Sequence, residues 1–259
     1  MRNSKVLAKL RSGKCAFSTQ IGSAFPPFAG IASQMGFDCV WLDMEHKPIT
    51  ESQVRECILG AAAYGGDTIV RILKRGYLDY FKPLEAGAAG IMVPHCMSPE
   101  EAEWAVRNSK YYPVGLRGMD FTGFGLDYSM ASAEECMEHA LRETFVAVQI
   151  EDIEALDSVE EIASCEGVDI LFIGPSDLKQ SAKKHGRYSE NFLEDVYKRV
   201  DCAASAAKDT WWGTVSTGVD VAKRLVDKGA RFVNVSGDFS GLKKELGGIT
   251  EELKKGGLL

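Results

Sequence analysis

Three residues able to move protons or hold charge fall within four positions in LDMEHKP (42–48): Asp43, Glu45 and His46. An imidazole, with an ordinary pKa near ~6.5, exchanges a proton near neutrality, and a carboxylate either orients it or holds a cation. Similar residues recur along the chain: Arg71 in TIVRIL (68–73), His95 in GIMVPHC (90–96), Gln149 and Glu151 in TFVAVQIE (144–151), and Pro175, Ser176 and Asp177 after ILFIG (170–174). Each lies in or just after a short apolar run. One such residue is only the ordinary exit of a strand into water. Five successive runs carrying acid, imidazole, amide and guanidinium point to a shared polar rim.

The runs themselves predict the scaffold. Eight of them, 15–21, 39–44, 68–73, 90–94, 144–151, 170–175, 211–217 and 231–236, lack clean polar alternation, as strands of a parallel sheet covered on both faces do. Between them, helical spacing occupies 51–65, 98–110, 153–164, 189–208 and 218–229. Thr50 or Ser52 is placed to cap the first of these, Ser98-Pro99 the second, and Gly229 to stop the last. Eight strands alternating with helices in 259 residues predict a single-domain (β/α)8 barrel over 1–259. No G-x-G-x-x-G follows the first strand, which argues against an open dinucleotide-binding sheet. Barrels carry their chemistry at the C-terminal ends of strands, where the polar residues cluster. The Gly- and aromatic-rich stretch at 111–143 breaks the rhythm and predicts a long excursion over that rim.

Composition narrows the classes. Hydrophobic residues make up 45% and charged residues 26%, as in globular proteins, and the net charge of -7 argues against a nucleic-acid or anionic-membrane surface. Seven scattered cysteines without a Cys-x-x-Cys pair predict a reducing, cytoplasmic setting. No stretch approaches the ~20 apolar residues of a membrane span, and the start lacks the apolar core of a leader.

Glu151 and Asp177, at the ends of adjacent predicted strands, could share one cation, and two carboxylates suit Mg²⁺ or Mn²⁺ better than zinc. The alternative is a pair of solvated acids or helix caps. Lys179, two residues beyond Asp177, could form a Schiff base with a keto acid, although its position predicts a solvated helix face.

Together CVWLDMEHKP, TIVRI, GIMVPHCMSPEEAEWAVRNSKYYPVGLRG and AVQIEDIEALDSVEEIASCEGVDILFIGPSDL resemble the HpcH/HpaI aldolase and citrate lyase family, the metal-dependent class II pyruvate aldolases, over about residues 13–240. The ordered D-x-E-H, V-x-I-E and F-I-G-P-x-D-L elements carry the resemblance. It implies a barrel of the phosphoenolpyruvate/pyruvate-binding type whose Mg²⁺, Mn²⁺ or Co²⁺ ion is held by Glu151 and Asp177. Arg71 is then the contact to the keto oxygen, His46 the base, Asp43 the acid that orients it, and Gln149, Ser176 and Pro175 the substrate-side contacts. It further implies cleavage of a 4-hydroxy-2-oxo acid to pyruvate and an aldehyde, in a homo-oligomer, trimer or hexamer, with exchanged C-terminal helices. Oxaloacetate decarboxylation, a citrate-lyase-like cleavage and a non-catalytic barrel remain as alternatives. No Lys/Arg cluster for a thioester carrier's phosphates is evident. Two departures stand out: Met44 where glycine is common, and Pro94-His95-Cys96 where apolar residues are. Ser132 matches a family asparagine only loosely, and Glu45 has no assigned step.

Overall fold

The computed structural model describes residues 1–259. Strands β1 (Ala16–Ile21), β2 (Cys39–Asp43), β3 (Asp67–Arg71), β4 (Gly90–Val93), β5 (Phe145–Ile150), β6 (Ile170–Ile173), β7 (Trp211–Val215) and β8 (Phe232–Gly237) pair in parallel, each with its sequence neighbours, and β8 closes on β1. The expected (β/α)8 barrel is therefore the observed one. Strands β2 to β6 are buried at every position, which is why the sequence shows continuous apolar runs instead of alternation.

Twelve helices surround the barrel: α1 (Lys5–Arg11), α2 (Pro26–Gln34), α3 (Glu51–Ala62), α4 (Tyr77–Glu85), α5 (Pro99–Ser109), α6 (Ala133–Glu143), α7 (Ile153–Asp157), α8 (Val159–Ser164), α9 (Pro175–Lys184), α10 (Phe192–Ala206), α11 (Val219–Asp227) and α12 (Asp238–Lys255). Thr50, not Ser52, caps α3 through a reciprocal box with Gln53, and Ser98 caps α5 ahead of Pro99. The helix expected at 153–164 is broken into α7 and α8 at Ser158. Within 111–143 a 3₁₀ segment (Phe124–Ser129) leads to α6, whose N-terminus Ser132 caps together with Glu135. Ser132 thus has a local structural task. No helix is long and apolar enough to cross a membrane.

Alternation along each strand sorts residues between the lumen and the outer wall. Trp41, Ile69, Met92, Phe145, Ala147, Ile170, Phe172 and Phe232 fill the lumen, together with Val6, Leu7 and Leu10 of α1. Ser4 caps α1 and donates its hydroxyl to Asp67 at 2.8 Å, which seats that helix as a plug under the barrel. Val93, Val148, Ile150, Leu171 and Ile173 face outward against the helices. Lumen positions one step further along are polar: Gln20, Asp43, Arg71 and Gln149. A packed apolar floor therefore underlies a polar rim.

Candidate active site

Neighbouring strands set the centre of the site. Asp43 and Arg71 are register partners on β2 and β3, so their side chains leave the barrel wall together. The Arg71 guanidinium donates from Nε to Asp43 Oδ1 at 2.9 Å and from Nη2 to Oδ2 at 2.7 Å. This is a two-pronged, charge-assisted contact with both partners buried. The guanidinium carbon lies 5.1 Å from the centre of the Trp41 ring, so the aromatic floor supports the cation from below. Gln20 Nε2 donates to Asp43 Oδ2 at 3.2 Å, and Arg71 Nη1 reaches Gln149 Oε1 at 3.5 Å.

Asp43 does not orient the imidazole of His46. Its Oδ1 instead accepts the backbone N–H groups of Glu45 (3.1 Å) and His46 (3.3 Å), holding the turn after β2. The residue beside the His46 ring is Glu45, whose Oε2 stands 3.7 Å from His46 Nε2 and 3.0 Å from Arg71 Nη1. The Arg71 contact is a close charge pair without an aligned hydrogen bond. The His46 side chain is 60% exposed and projects from the rim. Glu45 therefore joins the buried arginine to the solvent-facing imidazole.

Glu151 lies just past β5 and is 2% exposed. Its Oε1 accepts the His95 backbone N–H at 2.9 Å and its Oε2 accepts Gln149 Nε2 at 3.0 Å. Burial pushes its pKa up, and the neighbouring Glu45 charge adds to this, against the opposing pull of His95 and Arg71. Oε2 also rests on Gly174, where an added Cβ would lie 2.3 Å from it, so only glycine leaves the carboxylate its place. The sequence placed Pro175, Ser176 and Asp177 at a strand exit, but β6 stops at Ile173 and all three open α9. A proline suits a first helical turn, because its missing N–H would have no partner there. Ser176 and Asp177 are exposed on that turn.

His95 follows β4 with its backbone at φ 45°. Its Nδ1 is 2.8 Å from Asp152 Oδ2, and its carbonyl accepts Lys74 Nζ at 2.6 Å. Burial works against its charged form, but Asp152, Glu151 and Glu45 together hold its pKa above the ordinary value.

The donor set fits a hard divalent cation. Asp43, Glu45 and Glu151 face the single arginine Arg71, leaving an excess of negative charge when all are ionised. Each Glu151 oxygen accepts only one hydrogen bond and retains a lone pair. No group of three His, Cys, Asp or Glu side chains is arranged for an ion, so two protein carboxylates would leave most of an octahedral shell to substrate oxygens and water.

Comparisons with known proteins identify the family. The family model for HpcH/HpaI aldolase/citrate lyase matches residues 21–243. The chain belongs to the HpcH/HpaI aldolase/citrate lyase family. It is 31% identical to the hydroxypyruvate/pyruvate aldolase of Pseudomonas aeruginosa over 96% of this chain and 92% of the relative. To the 2-keto-3-deoxy-L-rhamnonate aldolase of Escherichia coli K12 it is 28% identical, over 89% and 85%. The crystal structure of a HpcH/HpaI family protein from Burkholderia cenocepacia superposes with a TM-score of 0.85 at 26% identity, covering 97% of this chain and 99% of that one. Within the site of this HpcH/HpaI family member, sequence reasoning missed Gln20, Trp41 and Asp152. Glu45 was singled out from the start, but without a step or a partner.

Proposed function

We propose that this protein is a divalent-metal-dependent aldolase that cleaves or forms a 4-hydroxy-2-oxo acid, with pyruvate and an aldehyde as the partners. The observation that carries the reading is the buried Asp43–Arg71 pair, joined by the half-buried Glu45 and facing Glu151 on one rim, in a chain of this family. Glu151 and Asp177 would hold the ion. When bound, a Mg²⁺, Mn²⁺ or Co²⁺ ion supplies positive charge where a keto oxygen becomes an enolate.

The remaining steps fall to the chain's own residues. Of the five guanidinium N–H groups of Arg71, Asp43 takes two and Gln149 and Glu45 face Nη1, leaving an Nη2 N–H for a substrate oxygen. That donor is fixed before substrate arrives, which is how a site favours developing charge. His46 takes the proton of the C4 hydroxyl, directly or through a water. The C3–C4 bond breaks, the aldehyde leaves, and the electron pair passes to the C2 oxygen of the pyruvate enolate, which is then protonated at C3. Gln149, Ser176 and Pro175 line the oxo-acid side.

The test is pyruvate release from 4-hydroxy-2-oxo acids before and after chelation, with metals restored singly. Loss with EDTA and recovery with a divalent ion are expected. Activity that survives EDTA but is trapped by borohydride would instead assign the chemistry to a lysine such as Lys179.

We also propose a homo-oligomer that exchanges α12. In α12 only Asp238 is buried, while Leu242, Leu246 and Ile249 form an exposed stripe at helical spacing. A groove of about 570 Å³ between α2 and α11 is lined by outer-wall residues Phe17 and Val235 together with Phe37, Ala222 and Val226. A second copy's α12 is apolar enough to cover it.

A further inference from the structure

We propose that His95 is a specificity-determining residue: its free Nε2 binds a hydroxyl on the aldehyde portion of the substrate, so that hydroxylated acceptors are preferred to plain or acidic ones. The inference rests on the aldolase reading above and adds the class of acceptor. Its basis is how firmly His95 is held and which of its atoms is left over.

A residue other than glycine at φ 45° is strained, and such a conformation persists only where its surroundings impose it. Three tethers do so here. The N–H donates to Glu151, the carbonyl accepts Lys74, and ring Nδ1 is engaged by Asp152. Lys74 is itself anchored to Glu101 at 2.6 Å. With backbone and Nδ1 committed, the ring has one unmatched polar atom, Nε2. It stands 3.8 Å from Glu45 Oε1, too far for a hydrogen bond, while the other oxygen of that carboxylate, Oε2, is the one that meets Arg71. The side chain is 45% exposed, so this nitrogen is open to a ligand entering the rim.

The surroundings decide what that ligand carries. Glu45 lies 3.8 Å from Nε2 itself, and Glu151 and Asp152 lie within 4 Å of Nδ1 in the same ring, so a carboxylate brought to Nε2 would face Glu45 in negatively charged surroundings. An alkyl group would leave Nε2 unpartnered. A hydroxyl both donates and accepts, so it satisfies Nε2 in either tautomer without adding charge.

The experiment compares pyruvate addition to glycolaldehyde and to acetaldehyde, which differ by one hydroxyl, with the metal-loaded enzyme and two variants. His95→Phe keeps a ring without nitrogens. His95→Asn tolerates the left-handed backbone but is too short to reach the Nε2 position. Wild type should favour glycolaldehyde in kcat/KM, and both variants should shrink that ratio by about tenfold, the worth of one hydrogen bond. Succinic semialdehyde should be a poorer acceptor than either in the wild type. Equal losses on both aldehydes in a folded variant would overturn the role of His95 and leave the aldolase intact. A wild type that adds pyruvate to no aldehyde would overturn the aldolase reading, and this inference with it.

Discussion

Arg71 and Asp43 face each other across adjacent strands, joined by two hydrogen bonds of 2.9 and 2.7 Å above the Trp41 ring. They stand 28 positions apart in the chain, and the parallel register removes that separation. Because both are buried, removing Arg71 strands the Asp43 charge, and removing Asp43 takes the two-pronged partner from Arg71 and leaves it only the unaligned Glu45 contact. Asp43→Ala should cost about 3 kcal/mol of stability, measured by urea unfolding. Arg71→Lys keeps the charge but loses the two-pronged grip, and kcat/KM should fall by roughly 10²-fold or more.

His46 separates stability from activity. Its ring is largely exposed, so His46→Ala should change the unfolding free energy by less than about 0.5 kcal/mol. With His46 as the proposed base, however, its loss should lower kcat by roughly 10²- to 10⁴-fold. Unchanged turnover with a folded variant would move proton transfer to another group.

Gly174 tests the metal reading without touching a ligand. A Cβ there would lie 2.3 Å from Glu151 Oε2 and force the carboxylate aside. Gly174→Ala should weaken divalent-ion binding by about tenfold or more in calorimetric titration, in a protein that still unfolds cooperatively.

Leu246 reports on the exposed stripe of α12. Leu246→Asp should shift the protein toward monomer in sedimentation velocity, because burying an unpaired carboxylate in an apolar groove is unfavourable. An unaltered sedimentation coefficient would count against helix exchange.

Acid sensitivity follows from Glu143. Burial alone would raise its pKa, but the Ser4 N–H, Arg142 and Arg11 outweigh it and hold the carboxyl below its ordinary 4.5. A carboxyl depressed in the folded state stabilises fully above its unfolded pKa, and that contribution vanishes as pH falls through the folded value. Glu143→Gln should therefore lose less stability than wild type when urea midpoints are compared between pH ~7 and pH ~3.

The sequence by itself determined the barrel, the strands, the family and most members of the rim. Fully buried parallel strands are written as uninterrupted apolar runs, and polar residues break those runs only where the barrel opens to water. Thr50, Ser98 and Gly229 were legible for a similar reason, since caps and stops depend on neighbouring residues. Helices α1, α2 and α4 escaped notice, and α12 entered only through the family resemblance. In α1, a seven-residue helix finds its stability in the barrel floor rather than in its own pattern.

Only the tertiary structure decided who faces whom. The resemblance implied that Asp43 serves the His46 imidazole, but strand register gave its carboxylate to Arg71 and the turn backbone, leaving Glu45 beside the histidine. The rim acid Asp177 turned out to stand on the first turn of α9, beyond the end of β6. The Glu151–Gly174 contact and the locked backbone of His95 were equally invisible beforehand. Local sequence sets which residues emerge at a strand end, but partners there come from neighbouring strands and their loops. Which charge meets which is settled when the barrel closes.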